Sequence, residues 1–110
     1  MISITCSPNI PGYKITRAMG LVFGNTIRAR HIGNDIMAGL KNIVGGEINE
    51  YTKLMAEARE QAIDRMKENA RHLGANAVID VHFSTSMIMN GAAELLSYGT
   101  AVYVEKEKAE

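Results

Sequence analysis

The sequence has 110 residues, with twelve acidic and twelve basic side chains and a single cysteine. This length predicts one domain, and the balanced charge excludes a strong one-signed field that would attract nucleic acid or an anionic membrane. A lone cysteine cannot form an internal disulfide, and the sequence has neither a signal peptide pattern nor an apolar run of about 20 residues. We therefore expect a cytoplasmic protein with no nucleic-acid or membrane partner.

Two strands are predicted in the N-terminal part of the chain. Residues Ile2–Cys6 alternate apolar and small polar side chains, and strand character resumes at Tyr13 after a loop with two prolines. Gly20 and Gly24 predict a bulge or a close backbone contact within the second strand. Five alternating residues of that strand are predicted to share one face: Ile15, Arg17, Met19, Leu21 and Phe23.

Two helices are predicted next. Asn34 or Asp35 can cap a short helix whose apolar residues recur at helical spacing as far as Val44. A long helix is predicted over Glu47–Leu73, with one broad apolar stripe, and Gly74 suits the left-handed position that ends a helix. This helix would be about 40 Å long, whereas a compact domain of this size is about 34 Å across. That excess indicates that a second copy of the chain covers part of the stripe.

A strand hairpin completes the chain. One face of the first strand is predicted to carry Ala77, Ile79, Val81 and Phe83, and the other Asp80, His82 and Ser84. Asn90-Gly91 predicts the turn. The returning strand, Leu95–Val104, is apolar on both faces, so its second face is also expected to be covered. The charged residues 106–110 are predicted to form a frayed tail.

Together these elements predict a single α+β domain over residues 1–110. Its antiparallel sheet is expected to pack with a short and a long helix in ββααββ order.

Cys6 and His82 are the candidate metal ligands. Cys6 is the sole thiol, and its simplest interpretation is a small residue at a strand end. If symmetry gathers several copies of Cys6 around an axis, their thiolates would be soft ligands for a heavy metal ion. His82 is one of three histidines that could approach Cys6 in the folded chain. The seven methionines are interpreted as core or interface fillers, with soft-metal binding as the alternative.

Other candidate sites favour structural roles. Asp80, His82 and Ser84 lie two residues apart, which separates their side-chain bases by about 6.6 Å on a strand, whereas a catalytic triad needs hydrogen-bond contact. The basic cluster Arg28–His31 could bind an anion or form an ordinary polar surface. His72 lies at the end of the long helix, where a cation is favoured by the helix dipole.

Five segments together resemble the YbjQ-like family, over nearly the whole chain. They are Arg17–Gly24, Asn42–Glu47, Ala58–Ala62, Leu73–Val78 and Ser97–Val102. The resemblance implies a small α+β subunit with dodecin-like topology that assembles as a homopentamer. It also implies an association with heavy-metal binding, and it assigns no catalytic residue.

We therefore expect a non-enzymatic homo-oligomer that binds a metal ion or a small ligand at its subunit interfaces. One alternative is an enzyme whose site forms between subunits and holds Glu47, Asp80 or His82. The other alternative is a purely structural oligomer.

Overall fold

A computed structural model describes residues 2–29, 48–89 and 92–108, which form a four-stranded sheet with one helix on one of its faces. The elements in chain order are β1 (Ser3–Ile4), β2 (Tyr13–Ala29), α1 (Ile48–His72), β3 (Ala77–Met89) and β4 (Ala92–Lys106). The predicted α+β class is confirmed. The predicted short helix and the Asn90-Gly91 turn fall outside the described residues, so the ββααββ order with two helices stays a prediction.

The sheet is mixed, with the strands in the order β1-β3-β4-β2. Strand β4 pairs antiparallel with both β3 and β2, whereas β1 runs parallel to β3 with Ser3 opposite Ala77. The prediction of a wholly antiparallel sheet is therefore wrong. The chain between β1 and β3 includes β2 and α1, which is long enough for the crossover that parallel pairing requires.

Helix α1 lies mainly over β2 and β4, and small side chains bring it close to them. Its fully buried residues are spaced about one turn apart: Ala58, Ala62, Met66 and Ala70. A Cβ atom added to Gly24 of β2 would lie only 2.1 Å from the carbonyl oxygen of Ala62. The buried Ser97 hydroxyl of β4 donates to that same oxygen at 2.9 Å. The predicted close backbone contact at Gly24 is confirmed.

The helix ends as the sequence predicts, in a left-handed glycine. Gly74 has a φ of +86°. Its backbone N–H donates to Arg71 O at 3.0 Å, and the Ala75 N–H donates to Ala70 O at 3.1 Å. These two bonds satisfy carbonyl groups in the last turn, as in a Schellman motif.

Two irregularities in β2 change which of its residues share a face. The pairing with β4 shifts between Ile15 and Arg17 and again between Ala18 and Gly20, and Gly20 has a φ of +110°. Met19 consequently packs against the core beneath the helix, whereas Leu21 is 66% exposed on the opposite face. The bulge prediction is confirmed, but the prediction of one shared face from Ile15 to Phe23 is wrong.

In β3, a bulge at Asp80 changes which residues lie on each face of the sheet. Asp80 has a φ of +52°, and the pairing with β4 shifts between Ile79 and His82. Ile79 therefore packs in a cluster on the helix-free face, while Val81 joins the core beneath the helix. The prediction that Ile79 and Val81 share a face is wrong, because the inserted residue moves every later side chain to the other side.

Candidate functional site

The loop that carries Cys6 is hydrogen-bonded to the outer edge of β3. The Val81 N–H donates to Thr5 O and the Asp80 N–H donates to Ser7 O, each at 3.1 Å. The hydroxyl oxygens of Thr5 and Ser7 lie 2.8 Å apart and form a further hydrogen bond across the loop. These contacts hold both neighbours of Cys6 beside the bulge of β3, and Cys6 itself is exposed.

His82 comes directly after that bulge. Its side chain is exposed on the helix-free face, and its ring centroid lies 5.7 Å from that of Tyr98 on β4. The bulge thus brings the Cys6 loop and His82 to the same edge of the sheet. The two predicted metal ligands come from segments that are distant in sequence but neighbours in the fold.

These two residues match the chemistry of a soft or borderline metal ion. Thiolate sulfur and imidazole nitrogen are the usual ligands of Zn²⁺, and thiolates also favour softer ions. Within residues 2–29, 48–89 and 92–108, however, no group of three or more His, Cys, Asp or Glu side chains is placed to hold a metal ion. A tetrahedral site built on Cys6 and His82 would therefore need further donors.

Other candidates from the sequence are placed differently. His72 Nε2 lies 3.3 Å from one carboxylate oxygen of Glu68, whose other oxygen pairs with Arg71, so Glu68 joins the two side chains on the surface of the last turns of α1. This contact agrees with the structural interpretation of His72. The side chains of Arg28–His31 and Glu47 fall outside the described part of the chain.

The helix-free face of the sheet has an exposed apolar surface. On β2, the exposed fractions are 66% for Leu21, 48% for Phe23 and 53% for Ile27. Phe23 pairs with Tyr98, which pairs in turn with His82, so an aromatic row crosses three strands on this face. The sequence prediction that the second face of β4 is covered stays a prediction, since much of this face is open in a single chain.

Strand β3 is also uncovered on the helix side. Because α1 lies over β2 and β4, the side chains of Phe83 and Met87 extend beyond it and are 46% and 70% exposed. Sequence analysis missed this patch, because the helix position decides which strand it shelters. Phe83 and Met87 lie four residues apart on one face of the predicted strand, which is the signal that could have located the patch.

The chain belongs to the YbjQ-like family. The sequence profile of the family described as "Putative heavy-metal-binding" matches residues 1–105. A UPF0145 protein of Archaeoglobus fulgidus is 56% identical over 101 residues, which cover 92% of this chain and 94% of that protein. A UPF0145 protein of Pyrococcus furiosus is 53% identical over 107 residues, covering 97% of this chain and 94% of the relative.

A solved structure shares the fold. A protein of unknown function of the DUF74 family from Pediococcus pentosaceus superposes with a TM-score of 0.63 at 18% sequence identity, covering 94% of this chain and 98% of that one. Among the described residues, no helix has both the length and the apolar character needed to cross a membrane.

Proposed function

We propose that this protein acts without catalysis, as an assembly of identical chains that binds a soft metal ion or a small ligand where the chains meet. The observation that carries the proposal is the position of Cys6 and His82. The backbone on both sides of Cys6 is hydrogen-bonded to the β3 bulge that His82 follows, and no group of three or more His, Cys, Asp or Glu side chains among the described residues is placed to hold a metal ion. Neighbouring copies would supply the further donors that a metal site requires.

The shape of the chain supports assembly. The described residues extend over 61 × 25 × 19 Å, with a radius of gyration of 17.8 Å. A compact domain of about 100 residues has a radius of gyration near 13 Å. An elongated subunit buries less of its own apolar surface, which agrees with the exposure of Leu21, Phe23, Ile27, Phe83 and Met87. The family resemblance suggests five copies, and we adopt a homopentamer as the working assembly.

Two further expectations belong to this proposal. We infer that the predicted short helix ending near Val44 precedes α1, which would give the ββααββ order and the dodecin-like subunit topology. We also place the protein in the cytoplasm, because a reducing compartment keeps an exposed thiol such as Cys6 free to bind a metal ion.

A metal titration tests the binding proposal. The intact assembly is titrated with Zn²⁺, Cd²⁺ or Cu⁺ and weighed by native mass spectrometry. We expect the wild type to retain ions at micromolar concentration, and Cys6→Ser and His82→Asn each to lose them. His72→Asn is the matched control, because it removes an exposed imidazole at the end of α1 and should leave retention unchanged.

Two results would contradict metal binding at this site. One is an assembly that retains no ion. The other is equal retention by the wild type, Cys6→Ser and His82→Asn. An intact oligomer that binds no ion would instead favour a small ligand or the purely structural alternative.

A further inference from the structure

Among the described residues, two strand edges of the sheet pair with no strand: one on β3 and one on β2. They lie at the same height along the strands. The segment 82–89 of β3 extends beyond the last hydrogen bond from the β1 loop, at Val81. Across β4, the pairing places His82 level with Phe23 and Met89 level with Ala29. The outer side of β2 from Leu21 to Ala29 pairs with no strand among the described residues. At 3.3 Å per residue, the free segment of β3 is about 26 Å long and that of β2 about 30 Å.

Both segments carry few of the features that keep a strand edge unpaired, although two carbonyl oxygens of β2 accept hydrogen bonds from α1: Phe23 O from Asn69 Nδ2 at 2.7 Å and Asn25 O from an Arg65 N–H at 2.6 Å. Monomeric proteins protect their edge strands with lysine, proline, inward-pointing charges or bulges. Residues 82–89 include no proline and no Asp, Glu, Lys or Arg. Residues 21–29 include no proline and one charged residue, Arg28. The bulges of β2 lie before Leu21, so residues 21–29 are regular. In β3 one register shift lies before His82 and another between Met87 and Met89, so its regular stretch is 82–87. Exposed edges of this kind are templates for pairing with another chain.

The position of α1 makes the free edge of β3 a suitable partner for the free edge of β2 in a second copy. Helix α1 covers β2 and β4 and leaves Phe83 and Met87 of β3 uncovered on the same face. If β2 of a second copy paired with β3, the α1 helix of that copy would lie beside it, because α1 packs on β2 at Gly24. Phe83 and Met87 would then lie in the groove between two adjacent helices.

We propose that residues 82–89 of β3 pair with residues 21–29 of β2 in a second copy of this chain, in parallel orientation. This inference rests on the assembly proposed above and names its contact. Strands β2 and β3 of one chain point the same way, because each is antiparallel to β4. Repeating the three-strand unit by rotation about an axis along the strands keeps that direction, so the junction is parallel. Such a head-to-tail contact uses two different surfaces, and it closes into a ring when the rotation from one copy to the next divides a full turn.

The junction lies next to the candidate metal site. Cys6 and His82 are at the start of the free segment of β3, so the β2 strand of the next copy would begin its contact beside them. In this arrangement the site is incomplete in one chain, and the partner copy forms its second wall.

Cysteine pairs test the contact. In a Cys6→Ser parent, Ser84→Cys or Ser86→Cys on β3 is combined with Phe23→Cys, Asn25→Cys or Ile27→Cys on β2, all on the helix-free face. Disulfides require Cα atoms within about 7 Å, whereas β2 and β3 of one chain are about 9.6 Å apart, on either side of β4. A disulfide between these positions therefore joins two chains.

We expect the double variants to form a ladder of linked chains on a non-reducing gel, and the single variants to stay unlinked. In parallel pairing, moving the β3 cysteine from residue 84 to 86 shifts the best β2 partner toward Ile27. A shift toward Phe23 would mean antiparallel pairing and would overturn the inference.

The remaining outcomes are also decisive. Linking by Ser84→Cys alone or Asn25→Cys alone would show contacts between identical strands, and an assembled protein in which no double variant links would exclude this junction. Either result overturns the proposed junction but does not contradict assembly. The same holds if the Cys6→Ser parent dissociates while the wild type stays assembled. A wild type that is monomeric by light scattering overturns the assembly itself.

Discussion

Gly24 is the residue at which β2 and α1 come closest. A Cβ atom there would lie 2.1 Å from Ala62 O and 2.3 Å from Met66 N, and both are backbone atoms that cannot rotate away. We predict that Gly24→Ala lowers the free energy of unfolding by about 3 kcal/mol, the upper end of the usual cost of overpacking. Urea unfolding at a fixed protomer concentration measures it.

Gly74→Ala is the matched control for this prediction. Gly74 has a φ of +86° and no atom near its missing Cβ, so alanine there meets strain without a clash. Its expected cost is about 1–2 kcal/mol, the penalty of a left-handed conformation. Equal costs at the two positions would show that the helix is free to move away from β2.

The sequence predicts these glycine roles but does not predict the role of Asp80. The residue type alone, glycine at positions 20, 24 and 74, signals a special backbone conformation or a close contact, because glycine has no Cβ atom. Asp80 adopts a φ of +52° while its N–H donates to Ser7 O, a contact that exists only after β1 and β3 come together. A long-range contact of this kind has no local pattern, which is why the face alternation of β3 was predicted wrongly.

At the scale of elements, α1 is held by one narrow line of buried side chains. Met66 is fully buried, whereas Leu73, which follows the last turn of the helix, is 48% exposed. We predict that Met66→Ala lowers the free energy of unfolding by about 3 kcal/mol, because it leaves a cavity at the centre of the core. Leu73→Ala should change it by less than about 0.5 kcal/mol in the same urea experiment.

A large effect of Leu73→Ala would have a specific meaning. It would show that Leu73 is buried in the assembly, and that the contacts between copies extend to the end of the helix. A small effect of Met66→Ala would contradict the packing of α1 on β2 and β4.

Periodicity predicts the helix and the hairpin well, but it does not predict strand order. The stripe from Ala58 to Ala70 fixes which side of α1 is buried, and the predicted start and end each lie within one residue of those observed. The parallel pairing of Ser3 with Ala77 depends on where a two-residue strand finds an edge. Sequence alternation says nothing about that choice.

At the scale of the whole molecule, α1 covers β2 and β4 on one face of the sheet. Among the described residues, the outer sides of β2 and of residues 82–89 of β3 pair with no strand. The sequence predicts a second copy of the chain from the length of the helix and from the two apolar faces of the last strand. The structure places exposed apolar residues elsewhere, on β2 and β3, so the surface that needs covering differs from the predicted stripe of α1. Cys6 and His82 were both candidates from the sequence, but their placement at one edge follows from the bulge of β3.

The unpaired strand edges of β2 and β3 would favour aggregation if no second copy covered them. Regular, uncharged strand edges promote aggregation when they are not paired. A chain with two such edges and several exposed apolar side chains is expected to be stable in solution only when copies cover one another.

The mass of the protein in solution tests the central claim most directly, and light scattering after size exclusion gives it at several micromolar concentrations. We predict a single closed oligomer whose mass does not change on dilution, with five chains as the working number. A well-folded monomer at those concentrations, with Phe83 and Met87 open to solvent, would contradict the account.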